Sequence, residues 1–452
     1  VSRSDAFEVY LDRVCAQVGA RELHGELRME LANHLEELAG EREVMGFEKE
    51  DAAKWALEQM GDPETVGRNL HRVHKPRMNW RLLAVVLMFA AIGLSGMLSL
   101  AATQVNSVTD EFYGRLASNH IHYLVMGTVL MLGLAFFDYR KLRRYSWALY
   151  VVTLIGMMAV FFSDVSMNGA KGWIKVSGFA IDVFGWSPYT LLVALAGMWT
   201  SDRSSSPWAY RLKKRYGPLM ILFPCLIYAV GDALTELVIF TAVSLMVYAR
   251  SNGGWRRSII TISGLVTAVL LYAWQEPAYR LGMMAAFDPR SVPKRASYMI
   301  INLRETMASA GWWGHGFGAL REQLPYVYSD MFFPYLIYTF GYLAGLALAG
   351  VIVWFIAQAV LAWRTVRDPF GKILFTGMSL LLILPFVYGL LLLTGHVLIL
   401  GLPLPFLSYG GSHLLAEFGA LGLLLSIYRR KDTLPRGEDY SSIGREYANQ
   451  PK

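Results

Sequence analysis

The sequence predicts an all-α polytopic membrane protein with about ten transmembrane helices and a small helical domain in front of them. Three observations predict it. Of 452 residues, 54% are apolar and only 17% charged, a balance suited to lipid rather than water. Charge is unevenly split: residues 1–80 carry 16 acidic and 11 basic side chains, the rest 19 acidic and 31 basic. The basic excess lies in short loops between apolar runs, which is the pattern of membrane topology rather than of nucleic-acid binding. Two cysteines, Cys15 in the head and Cys225 in an apolar run, offer neither a plausible disulfide nor a metal spacing.

Residues 1–78 read as a cytoplasmic helical accessory domain. The first 75 are too polar for a secretory signal. "SDAFEVYLDRV" opens on Ser4, a predicted N-cap. "ELHGELRMELANHLEEL" places Leu23, Leu27, Leu31 and Leu35 four apart, on one helical face. A third helix ends at Gly61. The next begins with Asp62 as N-cap and Pro63 at the first helical position. No catalytic constellation is visible there. His24, His34, His71 and His74 lack metal-type spacing, and the partner of this domain is unknown. The layout is similar to helical prefix domains of some Gram-positive membrane proteins, which implies an accessory or regulatory role.

Apolar runs near 81–102, 119–137, 145–163, 188–201, 216–230, 233–249, 257–276, 331–360, 371–394 and 412–428 are the predicted spans, against about 20 residues needed per crossing. With ten spans, the basic loops 138–146, 211–217, 250–257, 363–372 and 428–432 share one side with the head. The positive-inside rule makes that side cytoplasmic, with both termini. Residues 431–452 then form a cytoplasmic tail, expected to be disordered. Residues 103–118, 164–187, 277–330 and 395–411 fall on the outer face.

The outer segments hold the chemistry. "LPYVYSDMFFPYL" places Asp330 just before an apolar run, where an Asp serves either as a helix N-cap or as a reactive carboxylate. "GWWGHGFGAL" brings Gly316 and Gly318 beside two tryptophans. "LPLPFLSYGGSHLL" demands irregular backbone at membrane depth, tolerated only against protein or a water-filled cavity. Asp232 and Glu236 lie between two apolar runs, either as functional charges or in a short outer turn. Together these favour an outward-facing cavity. Composition does not separate a transporter from an enzyme.

"GLPLPFLSYGGSHLLAEFGALGLLLSIYRR" (401–430) closely resembles the C-terminal signature of the SEDS family, the shape, elongation, division and sporulation proteins such as RodA, FtsW and SpoVE. "NGAKGWI" (168–174), "GDALTEL" (231–237), "AFDPRS" (286–291), "GWWGHGFG" (311–318) and "LPYVYSDMFF" (324–333) are similar to further family segments, in family order. The likeness spans roughly residues 80–430. It implies a peptidoglycan glycosyltransferase of the bacterial cytoplasmic membrane, active in cell shape, division or sporulation. Such an enzyme polymerises lipid II at the outer face by inverting transfer, with undecaprenyl-linked glycan as its other substrate. A class B penicillin-binding protein is the implied partner, and Mg2+ or Mn2+ the implied cofactor. No organic cofactor and no nucleic acid are implied.

On this resemblance Asp330 is the catalytic general base. Lys171, Trp173, Asp232, Arg280, Gly316, Gly318, Ser408, Tyr409, Gly410, Gly411 and Ser412 are expected to bind substrate. Arg290, Lys294 and Arg304 are further outer cations. Metal ligands are unknown. The chain also departs from the family. Tyr189 and Leu192 stand where a Glu and a Lys are usual, Tyr338 and Thr339 where a Glu pair is, and Gly172 where an Arg is. Two readings follow: a divergent polymerase, or a non-catalytic relative that binds or translocates lipid-linked cell-wall precursors.

Overall fold

The computed structural model describes residues 3–19, 24–74, 78–104, 107–165, 171–176, 179–200, 207–252 and 255–431. Among them the chain forms seventeen α-helices and a two-stranded sheet. It divides into two compact units, one of residues 1–78 with 429–452, the other of residues 79–428. Of the expected tail, 431–452, residues 432–452 lie outside the described residues.

The first unit contains α1 (Arg3–Gln17), α2 (His24–Val44), α3 (Lys49–Met60) and α4 (Pro63–His74). Its core gathers Phe7, Leu11, Val14, Leu27, Leu31, Leu35, Ala56 and Leu70. The leucine stripe thus faces inward, as its spacing requires; Leu23 lies outside the described residues. Gly61 ends α3 at φ 80°. Asp62 caps α4, its Oδ2 accepting from the Thr65 amide (2.9 Å) and hydroxyl (2.7 Å). One expectation fails: α1 starts at Arg3 and includes Ser4, because a helix start tolerates a shift of a residue or two from its sequence signal. His24 bonds the Val18 carbonyl (2.7 Å), and His71 accepts from the Gly19 amide (3.1 Å), so both rings fasten the turn between helices.

The second unit contains ten helices on the ten predicted apolar runs. They are α5 (Trp80–Ala101), α6 (Ser107–Phe136), α8 (Ser146–Ala159), α9 (Val183–Trp199), α10 (Pro207–Val230), α11 (Leu234–Asn252), α12 (Trp255–Gln275), α15 (Phe332–Thr365), α16 (Pro369–Leu392) and α17 (Ser412–Arg429). A short α7 (Arg140–Arg144) carries the first basic loop. By length and composition α5, α6, α15 and α16 can each cross a membrane alone, and shorter apolar helices accompany them. The fold is all-α and polytopic. Its central helix is α9, buried along nearly its whole length and packed on α8, α10, α11 and α16.

Several boundaries differ from the sequence reading. α6 begins at Ser107, twelve residues before the predicted span, because the Glu111–Arg115 ion pair one turn apart supports a helix that hydropathy does not see. α9 begins at Val183, not 188, because Asp182 caps it by accepting from the Gly185 amide (2.8 Å). α10 likewise starts early, at Pro207. The segment before α9 forms a hairpin, β1 (Trp173–Val176) with β2 (Phe179–Asp182). The long loop 277–330 contains α13 (Pro277–Phe287) and α14 (Lys294–Ser309).

The predicted span 331–360 is also not one helix. α15 breaks at Gly341, at φ 87° and ψ 172°. A break inside a bilayer exposes backbone groups that must find partners. The glycine-rich loop supplies them. His315 and Gly316 amides donate to the Tyr338 and Thr339 carbonyls (3.0 Å each), while the Tyr342 amide donates to the Gly311 carbonyl (3.0 Å). The approach is so close that a methyl on Gly314 would lie 2.4 Å from the Thr339 carbonyl oxygen.

Candidate active site

The site is built around the turn that precedes α15. Tyr326 takes a left-handed φ of 55°, and its carbonyl accepts from the Ser329 and Met331 amides (3.0 and 3.1 Å). This folds 326–331 back on itself and turns Asp330 off the helix start. Met331 is the N-cap of α15, with no side-chain capping bond. Asp330 is therefore not helix punctuation.

The segment 401–409 walls this turn. From the C-terminal side, the Ser408 hydroxyl donates to the Ser329 carbonyl (3.0 Å) and accepts from the Leu404 amide (2.9 Å). The Tyr409 amide donates to the Tyr328 carbonyl (2.8 Å). Gly401, at φ 68°, lies against the Asp330 carboxylate, where an added methyl would sit 3.5 Å from Oδ2. Behind it, Tyr388 of α16 clamps the same segment: its hydroxyl donates to the Leu398 carbonyl (2.9 Å) and accepts from the Leu400 amide (2.8 Å). The Thr235 hydroxyl of α11 donates to the Leu400 carbonyl.

Burial pushes the Asp330 carboxyl up from its usual value to about 6, partly offset by a hydrogen bond with the Ser329 side chain. A carboxylate with a pKa near 6 is a better base than an ordinary one, yet still ionised at neutral pH.

Further charges stand close by. Glu236, in the first turn of α11, is within electrostatic reach of Asp182, His413 and Asp330. Asp182 sits at the junction of hairpin and α9; burial raises its pKa, while the Gly185 amide and His413 lower it. Its amide donates to the Ser412 hydroxyl (3.2 Å), and the Trp186 indole donates to the Ser412 carbonyl (2.6 Å). On α17, His413 Nδ1 bonds Glu417 Oε1 (2.8 Å).

The expected binding residues separate into groups. Ser408, Tyr409 and Ser412 hold backbone around Asp330 and Asp182. The Tyr409 ring meets Tyr123 and Tyr328 edge-on, at 6.5 and 6.4 Å. Gly410 abuts His413, and Gly411 takes φ 49° against Tyr123. Gly316 and Gly318 serve packing: the first donates to the break in α15, the second donates to the Ser99 hydroxyl (2.9 Å) at the end of α5. Asp232 lies in an exposed turn at φ 54°, accepting from the Tyr279 and Tyr272 hydroxyls (3.2 and 3.4 Å). Lys171 is exposed before β1, and Trp173 pairs with Asp182 across the hairpin. Arg280 is partly buried on α13, while Arg290 and Lys294 are exposed. Arg304 clamps the Gly395 and Ala286 carbonyls (3.0 and 2.8 Å).

Sequence reasoning missed Asp182, Tyr388, His413 and Glu417. The His–Glu spacing of four in "SHLLAE" was the available signal, since such a pair shares a helix face.

Residues 79–433 match the family model described as cell cycle protein, for FtsW, RodA and SpoVE. The probable peptidoglycan glycosyltransferase FtsW of Trichlorobacter lovleyi is 25% identical over 357 residues, covering 76% of this chain and 92% of its own length. Stage V sporulation protein E of Bacillus subtilis is 25% identical over 366 residues, covering 77% and 96%. A chain solved in work on the structural coordination of polymerization and crosslinking by a peptidoglycan synthase complex superposes with a TM-score of 0.63, at 21% identity over 78% of this chain and 98% of that one. That likeness speaks for the fold.

Proposed function

The chain belongs to the FtsW/RodA/SpoVE family of cell cycle proteins, and from that premise we propose that it is a peptidoglycan glycosyltransferase serving cell shape, division or sporulation. The relatives named above carry that activity or that role in their names. The observation that carries the reading to a residue is Asp330. It has no capping duty, lies against the 401–409 segment, and has a carboxyl poised near 6.

The reaction joins an acceptor sugar hydroxyl to C1 of a donor sugar held on a lipid diphosphate. A hydroxyl is a weak nucleophile at neutral pH. Asp330 takes its proton as the oxygen closes on C1. The bond from C1 to the diphosphate oxygen breaks on the opposite face, so configuration inverts and the diphosphate leaves with the electron pair. A general base of this kind contributes about 10²- to 10⁴-fold.

Among the described residues no three His, Cys, Asp or Glu side chains converge as a metal site. A divalent cation is proposed to ride chiefly on the substrate diphosphate, as Mg2+ is usually held by substrate phosphates with only one or two carboxylates.

Topology supports an outer-face site. Thr103, just past α5, donates to the Gly318 carbonyl (3.2 Å) and so joins the end of α5 to the loop that leads to Asp330. α6 then returns along α5 to the basic segment 138–146. Asp330 and that basic segment lie at opposite ends of α6, which supports an outer-face carboxylate when basic loops face the cytoplasm. A class B penicillin-binding protein is the proposed partner, since the structural relative belongs to a complex of polymerization and crosslinking.

The test is reconstitution with labelled lipid II and Mg2+ or Mn2+, with and without class B partners, for wild type and Asp330→Ala. Glycan strands from wild type alone are expected. Strands from both would remove Asp330 as the base; strands from neither, with every partner, would favour the non-catalytic reading.

A further inference from the structure

We propose that Glu417, paired with His413 one turn earlier on α17, is a positioning residue that holds the wall of the Asp330 site in place; the inference rests on the glycosyl-transfer reading above. Glu417 is 2% exposed. Both its oxygens are engaged: Oε1 with His413 Nδ1 (2.8 Å), and Oε2 with the amide of Phe406 (2.8 Å). Phe406 is the strained point of the wall. Its φ is +64°, a conformation that a bulky side chain adopts only when its surroundings impose it. A charge-assisted bond from a buried carboxylate to its amide is such an imposition, and the packing of its ring against Phe418 (5.2 Å) is a second.

The turn so held leads directly to Asp330. Two residues after Phe406, Ser408 bonds the Ser329 carbonyl; three after, the Tyr409 amide bonds the Tyr328 carbonyl. Five residues before it, Gly401 lies against the Asp330 carboxylate. Releasing Phe406 loosens all three supports together. His413 completes the device. Removing it strips a buried carboxylate of its side-chain partner, an expensive state that breaks the geometry it served. Asp182 and Glu236 also act on the His413 ring, and the Tyr189 ring meets it edge-on at 6.0 Å.

A loosened wall admits more water to the half-buried Asp330. Its burial is what raises its pKa, so hydration moves the acid limb of the rate profile down, toward the ordinary carboxylate range. The titratable groups facing Asp330 from the packed elements are Glu236 on α11 and Tyr388 on α16; neither is altered by substitution at 417.

The experiment measures kcat, KM and the pH profile of lipid II polymerisation by full-length wild type, Glu417→Gln, Glu417→Ala, His413→Gln and Asp330→Asn, normalised to folded protein. Positioning predicts a fall in kcat of about 10- to 100-fold for Glu417→Ala, a smaller fall for Glu417→Gln, whose amide oxygen still accepts from Phe406, little change in KM, and an acid limb shifted to lower pH. Unchanged kcat and acid limb in the glutamate variants would overturn the proposal. If Glu417→Ala fails to insert, His413→Gln decides by the same shift. Activity in Asp330→Asn, or none in wild type, instead defeats the base reading, and this inference falls with it.

Discussion

The hydroxyl of Ser408 donates to the carbonyl of Ser329, 3.0 Å away and 79 residues earlier, so the C-terminal signature segment holds the turn that presents Asp330. The bond puts the serine of "PFLSYGG" in a supporting position, with its oxygen spent on backbone. We predict that Ser408→Ala lowers turnover about tenfold with little change in KM, since a buried carbonyl and amide lose their partner. Steady-state polymerisation kinetics check this; a rise in KM alone would point to direct substrate contact instead.

Asp330→Asn should abolish strand formation, by about 10²-fold or more, while the protein becomes more stable. Burial disfavours the charged carboxyl and lifts its pKa from 3.8 to about 6. The ionised group therefore weakens the fold. This penalty is absent below about pH 4, grows as pH rises through the window to about 6, and is complete above it, at ~3 kcal/mol at most. Thermal unfolding in detergent at pH 7.5 should show a higher midpoint for the Asn variant, and a difference that vanishes near pH 4.

The same carboxyl sets the acid side of the activity profile. Polymerisation should fall tenfold for each pH step below about 6, because a protonated Asp330 accepts no proton. A limb near 4 in wild type would mean that the carboxyl is hydrated during turnover.

Gly341→Ala is predicted to destabilise the membrane unit by at least ~1–2 kcal/mol, the cost of a left-handed residue with a Cβ. The added methyl would also sit 2.2 Å from the Trp312 carbonyl oxygen. The unfolding midpoint of the inserted protein is the measure; an unchanged midpoint would contradict the close splice of loop and helix.

In the N-terminal unit, Asp62→Ala should lower the unfolding midpoint through loss of the α4 cap. It should leave polymerisation by the inserted protein untouched, as should removal of residues 1–78. Loss of turnover by a stable truncation would assign that unit a part in the chemistry.

Much of this was legible in the residues. Apolar runs located the ten helices because burial and lipid both demand uninterrupted hydrophobicity. Asp62 and Gly61 announced their turns because few residues cap helices well. The extension of α6 was hidden because its first turns are polar, and the hairpin was hidden because four-residue strands are too short for periodicity to register. At the site, Asp330 and Ser408 stood out by motif. Their connection did not, since a hydrogen bond across 79 residues leaves no local trace. Asp232 stayed open between two readings because a charge between apolar runs reads alike in a water-exposed turn and in a cavity; the structure puts it in an exposed turn. Glu417 was masked by the apolar run around it.

The break at Gly341 also separates two rotational phases. Before it, residues 332–337 are buried on every side. After it, burial follows Gly345, Leu348, Ile352, Phe355, Ala359 and Ala362, a single stripe with helical spacing. In an unbroken helix, inserting one residue would turn everything beyond it by about 100°. Here the 311–316 loop pins the seam from outside. An insertion within 342–365 would spin the distal stripe out of register with its neighbours while Asp330 keeps its bearing. The break therefore confines the damage of such an insertion to the distal half and keeps it from the turn that presents Asp330.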